Sequence, residues 1–319
     1  MTSRTATSPS PFSSHNRQTT LRRDVLLAGR GAHSDRPARL RLSPAAADAG
    51  VVFLRADVEG AALIDAHWSR VACTILRTQI AGAGVSVSTV EHLLATLAAL
   101  GVDNALIELD GPEVPAMDGS ARGFVEAIDE AGLSMLEAPR RALRVLKPVR
   151  VSDGAGWAEI APADTSLSLD VEIAFPSPIG RQRRALALTP ESFRRELAGA
   201  RSFGLLRDAE RLWREGLALG ASLDNSLVFD GERVLNPQGA RFADECVRHK
   251  MLDAVGDLAL AGAPLLGAFR SHRGGHALNF ALVKALMTTP GAVEWTRRSH
   301  ATQADHNNAR VAAELSPAR

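Results

Sequence analysis

The chain has 319 residues, enough for two domains on ordinary domain sizes. With 45% hydrophobic and 23% charged residues it reads as a globular protein, and its net charge of +1 supplies no field for nucleic acid or an anionic membrane. Tyrosine is absent and aromatics total 4%, which argues against base-stacking platforms; two cysteines are too few for a disulfide framework.

Residues 1–17 are rich in Ser, Thr and Pro, lack an apolar core segment, and read as a disordered tail rather than an export signal. Cys73 and Cys246 are therefore expected as reduced thiols in a cytoplasmic protein. Short strands are predicted at 20–27, 38–42 and 51–55, with a glycine-flanked loop, Gly29-Arg-Gly-Ala-His33-Ser-Asp35, between the first two. Ser88-Thr-Val-Glu91-His92 opens a helix that runs to Leu100 and stops at Gly101. A buried strand at 105–109 and a turn-rich stretch, Asp110-Gly-Pro-Glu-Val-Pro, lead to a second helix that begins near Gly119. Pro139-Arg-Arg reads as a linker.

The second half repeats this order. Strands are expected at 143–151, 157–161 and 167–175, helices at 190–198 and 207–216, and a strand at 226–229. A helix at 243–261, a short strand from Gly267 and a helix at 277–286 follow; residues 297–319 read as a polar tail. Strands first and helices later, in each half, indicate an α+β chain with domains at 18–139 and 140–296. No stretch is apolar for 18 residues, so no transmembrane segment is expected.

The helix at 243–261 carries the chemistry. His249, Asp253 and Asp257 recur every four residues and share one face, with Val247, Met251 and Val255 on another. An imidazole and a carboxylate one turn apart can hold a divalent ion from a single rigid element. A helix with two surface acids and a capping histidine fits the same letters.

A catalytic zinc takes three protein ligands and keeps one position open. Outside the tails the remaining histidines are His33, His67, His92, His272 and His276; those in the tails, His15, His300 and His306, are set aside. His92 stands out because Glu91 beside it could serve as the base for an activated water. Ser88-x-x-Glu91 also fits a capping box, in which the Glu only bonds the helix start. His276 follows two glycines at a helix N-terminus, where an imidazolium is disfavoured unless a carboxylate such as Asp257 restores it. A capping role fits it too, and a solvent-facing role fits Lys250.

Several long motifs in order resemble one family. They are Ser88-Thr-Val-Glu-His-Leu-Leu-Ala-Thr-Leu, Ala116-Met-Asp-Gly-Ser-Ala, Ala200-Arg-Ser-Phe-Gly and Val247-Arg-His-Lys-Met-Leu-Asp-Ala-Val-Gly-Asp-Leu, extended by Gly267-Ala-Phe and Gly275-His-Ala-Leu-Asn. From about Gln18 to Trp295 the chain is similar to the UDP-3-O-acyl-N-acetylglucosamine deacetylases, zinc amidases of lipid A synthesis in Gram-negative bacteria.

The resemblance implies two α+β domains of similar architecture, their helices sandwiched between two outer sheets, with the active site in the cleft between them. It implies Zn2+ on His92, His249 and Asp253. Glu91 matches the general base, and His276 a protonated histidine oriented by Asp257. Ser202 sits where a hydroxyl binds the oxyanion. Lys250 and Phe203 match the hexose site. Phe175, Asp208 and Arg273 match the nucleotide and diphosphate contacts, and His33 lies in a substrate loop. Leu206, Ala209, Ala218, Ser222, Ser226 and Val228 would line an acyl-chain passage. The expected partner is UDP-3-O-acyl-N-acetylglucosamine, with no nucleic acid, and the expected state is a monomer.

The chain departs from the family pattern at Asp35, where Gly is usual, at Gly156, where a basic residue is frequent, and at Cys246, where an aromatic is common. These departures put substrate affinity in question rather than the metal set. A metal amidase for another acylated sugar and a catalytically inert zinc-binding regulator are the competing expectations.

Overall fold

A computed structural model describes residues 16–163 and 166–297. The tail histidines His15, His300 and His306 lie outside the described residues, as does most of each predicted tail.

Two five-stranded sheets dominate the architecture. The first runs, in spatial order, Val25–Arg30, Pro37–Pro44, Ala105–Leu109, Val51–Arg55 and Ile64–Asp65. The second runs Val149–Asp153, Gly156–Ala161, Ala268–His272, Ser168–Ala174 and Arg181–Ala187. Both read antiparallel, antiparallel, parallel, antiparallel across the sheet. In each, two hairpins form first and a later strand inserts between them. The halves therefore share one topology although no repeat is visible in the sequence.

Alternation fixes which face each sheet buries. In Pro37–Pro44 the side chains of Ala38, Leu40 and Leu42 point to the core, while Arg39 and Arg41 face solvent. A one-residue slip would exchange the two sets, so the register with Ala105–Leu109 is strongly specified. In the second sheet Leu169, Val171 and Ile173 alternate outward with Asp170 and Glu172.

Six α-helical segments accompany the sheets among the described residues. They are α1 (Glu91–Leu100), α2 (Arg122–Ala131), α3 (Pro190–Ser192), α4 (Ala209–Arg214), α5 (Glu245–Ala259) and α6 (His276–Thr288). α1 packs on α5 across the middle of the molecule, and α6 lies against the strands Val149–Asp153 and Gly156–Ala161. α5 is buried on nearly every side, with Asp253 and Asp257 as enclosed as Val247 and Met251. That removes the reading of its acids as a solvated face.

Local corrections follow from tertiary context. The capping-box alternative at Ser88 is not formed: Ser88 ends the strand Val85–Ser88, Val90 is the N-cap, and no side chain caps α1. The Pro139-Arg-Arg linker is instead the end of the strand Leu133–Pro139, paired with Arg17–Leu21, followed by the strand Arg141–Val145. The single strand expected at 143–151 is two, since Pro148 sits between Arg141–Val145 and Val149–Asp153. The helix expected at 207–216 shortens to a 3-10 turn, Leu206–Asp208, and α4, which has no buried residue. No described helix is long and apolar enough to cross a membrane.

Candidate active site

The site forms where α1, α5 and α6 converge. α1 begins with Glu91 and His92, α5 carries His249, Lys250, Asp253 and Asp257, and α6 begins with His276. The two histidines and Asp253 offer ligand atoms that all lie within 4.8 Å of one another. The Nε2 atoms of His92 and His249 each stand 3.4 Å from Asp253 Oδ1, and the rings meet edge to face with centroids 4.9 Å apart.

Two of these three residues, His249 and Asp253, are held in states suited to a cation. His249 Nδ1–H donates to the Ala200 carbonyl at 3.1 Å, which leaves the Nε2 lone pair facing the site. Burial lowers its pKa to about 4 despite Asp253 nearby, so the ring is neutral at neutral pH. Lys250 Nζ holds Asp253 Oδ2 at 2.7 Å. Asp253 Oδ1 is buried and without a hydrogen-bond partner. Burial by itself would raise the Asp253 pKa, yet His249, Lys250 and His276 hold it well below the ordinary range. An ionised, buried carboxylate oxygen with no donor, between two imidazole nitrogens, is costly unless a cation takes the place of the missing donor. The three residues fit a divalent metal.

Two proton-handling groups flank this set. Glu91 is buried, and burial raises its pKa. Its Oε2 accepts from the Thr78 backbone N–H at 3.0 Å, and its Oε1 lies 4.0 Å from His276 Nε2. His276 Nδ1–H donates to Asp257 Oδ2 at 2.9 Å. Burial and the helix N-terminus oppose a charge on this ring, but Asp257 and Asp253 prevail and its pKa is pushed up to about 9. Asp257 thus partners His276 as the sequence suggested. Lys250 is mostly enclosed rather than solvent-facing; burial disfavours its charge, and Asp253 outweighs that and raises its pKa.

The outer residues are arranged around this core. Phe203 meets His249 edge-on with centroids 6.1 Å apart, and Phe175 meets Phe203 at 5.4 Å. Ser202 Oγ lies 3.3 Å from the Gly119 carbonyl, and its N–H donates to the same oxygen at 2.8 Å. Val228 lies opposite Gly204 in a short parallel pairing. Asp208 is half-buried and pairs with Arg211 at 3.6 Å, while Leu206 and Ser222 are exposed. Ser226 Oγ bonds Asn225, and Ala209 opens α4. Arg273 has a left-handed φ of 52° and its N–H donates to the Glu172 carbonyl at 2.8 Å. A Cβ on Gly156 would stand 3.0 Å from the Arg273 carbonyl and from Leu278, so a basic residue there would need this corner to give.

His33 clasps three segments. Its Nδ1 accepts from the Ala218 N–H at 3.2 Å, its ring bonds the Leu76 main chain, and its own N–H donates to Glu113 Oε1 at 2.9 Å. Asp35 has φ 50°, the left-handed conformation natural to the glycine it replaces, and pairs with Arg30 at 2.7 Å.

Sequence reading missed four contributors. Thr78 and Asn279 both bond Asp257, the latter at 2.9 Å. Arg201 and Glu245 form a fully buried pair at 2.8 Å that fixes the loop presenting Ala200 and Ser202. No spacing relates Thr78, Arg201 or Asn279 to the stripe on α5, whereas Glu245 stands four residues before His249 on the same helix and was a readable member of that row.

A buried two-histidine, one-carboxylate cluster that could hold a metal ion, with Glu91 and His276 beside it, defines a candidate hydrolytic centre in an α+β chain. The family model described as LpxC, UDP-3-O-acyl N-acetylglycosamine deacetylase, matches residues 18–288, and the chain belongs to that family. Curated UDP-3-O-acyl-N-acetylglucosamine deacetylases of Brucella ovis, Brucella canis and Brucella melitensis are each 50% identical to it over 279 residues, covering 87% of this chain and 97% of theirs.

Proposed function

We propose that the chain is a zinc-dependent amide hydrolase that converts UDP-3-O-acyl-N-acetylglucosamine and water to UDP-3-O-acyl-glucosamine and acetate, within lipid A synthesis. Family membership supports the reaction. The observation that carries the chemistry is the partnerless Asp253 Oδ1 between His92 and His249, beside Glu91 and His276.

His92, His249 and Asp253 hold the ion, which when bound supplies Lewis acidity that activates water and polarises the amide carbonyl. Glu91 accepts the proton that water loses as its oxygen attacks the acetyl carbon. Burial raises the Glu91 pKa, which makes its carboxylate a stronger base than an exposed one. His276, cationic at neutral pH, faces the oxygen that gains charge and the amine that departs. Asp257 fixes the tautomer and orientation of His276. Ser202 would turn its hydroxyl from Gly119 to the same oxygen. The C–N bond then breaks as the proton taken up by Glu91 passes to the nitrogen, directly or with His276 as the donor that Glu91 recharges, and the acetyl group leaves as acetate.

Lys250 and Phe203 border the hexose. Phe175, Asp208 and Arg273 serve the nucleotide and diphosphate, and His33 shapes the loop beside them. Leu206, Ala209, Ala218, Ser222, Ser226 and Val228 line the path of the acyl chain. The domains divide as 18–139 and 140–296, and the enzyme works in the cytoplasm as a monomer.

Metal analysis together with release of labelled acetate tests the assignment. Asp253→Ala should lose the ion and all turnover. Glu91→Ala should retain the ion and lose about 10²–10⁴-fold in rate. Undiminished turnover by Glu91→Ala removes Glu91 as the base.

A further inference from the structure

Thr78 touches both proton-handling groups of the site from a single residue. It precedes the strand Gln79–Gly82, is 1% exposed, and belongs to no motif in the sequence. Its backbone N–H donates to Glu91 Oε2 at 3.0 Å. Its hydroxyl donates to Asp257 Oδ1 at 2.6 Å and lies 3.3 Å from His276 Nδ1. The other oxygen of Asp257 receives His276 Nδ1–H and Asn279 Nδ2–H, each at 2.9 Å.

We propose that Thr78 is a positioning residue that holds the Glu91 carboxylate and the Asp257–His276 pair in register with each other. This rests on the roles proposed above for Glu91 and His276.

The physical argument concerns rotation. A carboxylate bonded through one oxygen can swing about χ2, whereas donors on both oxygens fix its plane. His276 takes its orientation from Asp257, so a loose Asp257 leaves the imidazole loose. Glu91 Oε2 is tethered to the same backbone that carries the hydroxyl. One residue therefore sets the 4.0 Å separation of Glu91 Oε1 and His276 Nε2. Reacting groups misplaced by about 1 Å lose about 10²-fold in rate. The loop is itself held from outside, because Leu76, two residues earlier, bonds the His33 ring.

Thr78→Val removes the hydroxyl, keeps the shape, and leaves the N–H on Glu91. The experiment uses the full metal-loaded chain and records kcat, KM, metal content and Tm for Thr78→Val, Thr78→Ser, Asp257→Asn and the Thr78→Val/Asp257→Asn double variant. Wild-type turnover is measured first, since its absence would count against the proposed function and not against Thr78. Expected for Thr78→Val is a fall in kcat of about 10-fold or more, with KM within about twofold and metal content unchanged. Thr78→Ser should recover most of the loss. The double variant should be no slower than Asp257→Asn alone, because the hydroxyl acts through that carboxylate. Thr78→Val turning over at the wild-type rate overturns the proposal. So do losses that multiply in the double variant, or a Ser variant as slow as Val. If Thr78→Val fails to fold, the proposal stands or falls on Thr78→Ala read against Thr78→Ser by the same kcat and KM criteria.

Discussion

Gly256 lies directly against the carbonyl of Glu91, so close that a Cβ on Gly256 would overlap the Glu91 carbonyl oxygen and carbon. Glycine inside a helix costs about 1 kcal/mol relative to alanine. Here it lets α5 approach the first turn of α1, which delivers Glu91 and His92 to His249 and Asp253. Gly256→Ala should therefore destabilise rather than stabilise, by about 1–3 kcal/mol from overpacking against backbone. It should also weaken metal binding. Thermal unfolding and a metal titration check both; a higher Tm with undiminished affinity would show that the helices can part without harm.

The metal ligands come from two different halves of the chain, so a bound ion should staple them. At a free zinc concentration about 100 times Kd, binding to the native state alone adds about 2.7 kcal/mol. A chelator should lower the Tm of the wild-type protein reversibly. Asp253→Asn should unfold at the same temperature with and without chelator.

His33 should make stability depend on mild acidity. Burial, then Arg77, lowers its pKa to about 4, against an ordinary 6.5. The unfolded chain therefore binds a proton below pH 6.5 that the folded chain refuses until about pH 4. The contribution is complete above 6.5 and drains away as pH falls toward 4, with a slope of at most one proton. Protonation would also place an N–H against the Ala218 N–H. Denaturation midpoints of wild type and His33→Asn, measured from pH 4 to 7, should diverge least at the acid end. Parallel curves would discount the clasp.

Asp35→Gly should be almost silent. The backbone there is already left-handed, so glycine relieves strain of about 1 kcal/mol. The lost Arg30 pair is half exposed and screened by solvent, so its loss weighs little. Tm should move little and KM should stay within about twofold. A large change in KM would mean that the Asp35 carboxylate itself meets substrate.

The stripe on α5 was legible because a helix converts spacing into direction: His249, Asp253 and Asp257 had to share a face. Their burial was not legible, since it depends on α1 and α6 arriving from elsewhere. Ser88-x-x-Glu91 left Glu91 open between a cap and a base, because a capping box and a strand followed by a helix present the same four letters. Glu91 bonds Thr78 rather than the start of its own helix. The strands Val71–Cys73, Gln79–Gly82 and Val85–Ser88 went unread because they are only three or four residues long. Arg181–Ala187 escaped because its first four residues are all charged or polar, a run that becomes a strand only beside Ser168–Ala174. Thr78 carried no local signal at all, because all three of its partners are distant in sequence.

The common topology of the two sheets has an evolutionary consequence. α1 and α5 occupy equivalent places in it, each preceding the strand that inserts last. One contributes a single imidazole to the cation set and the other an imidazole and a carboxylate. Neither unit alone has enough ligands for a stable centre. If both descend from one ancestral module, this chemistry arose only after duplication, when the copies had begun to diverge.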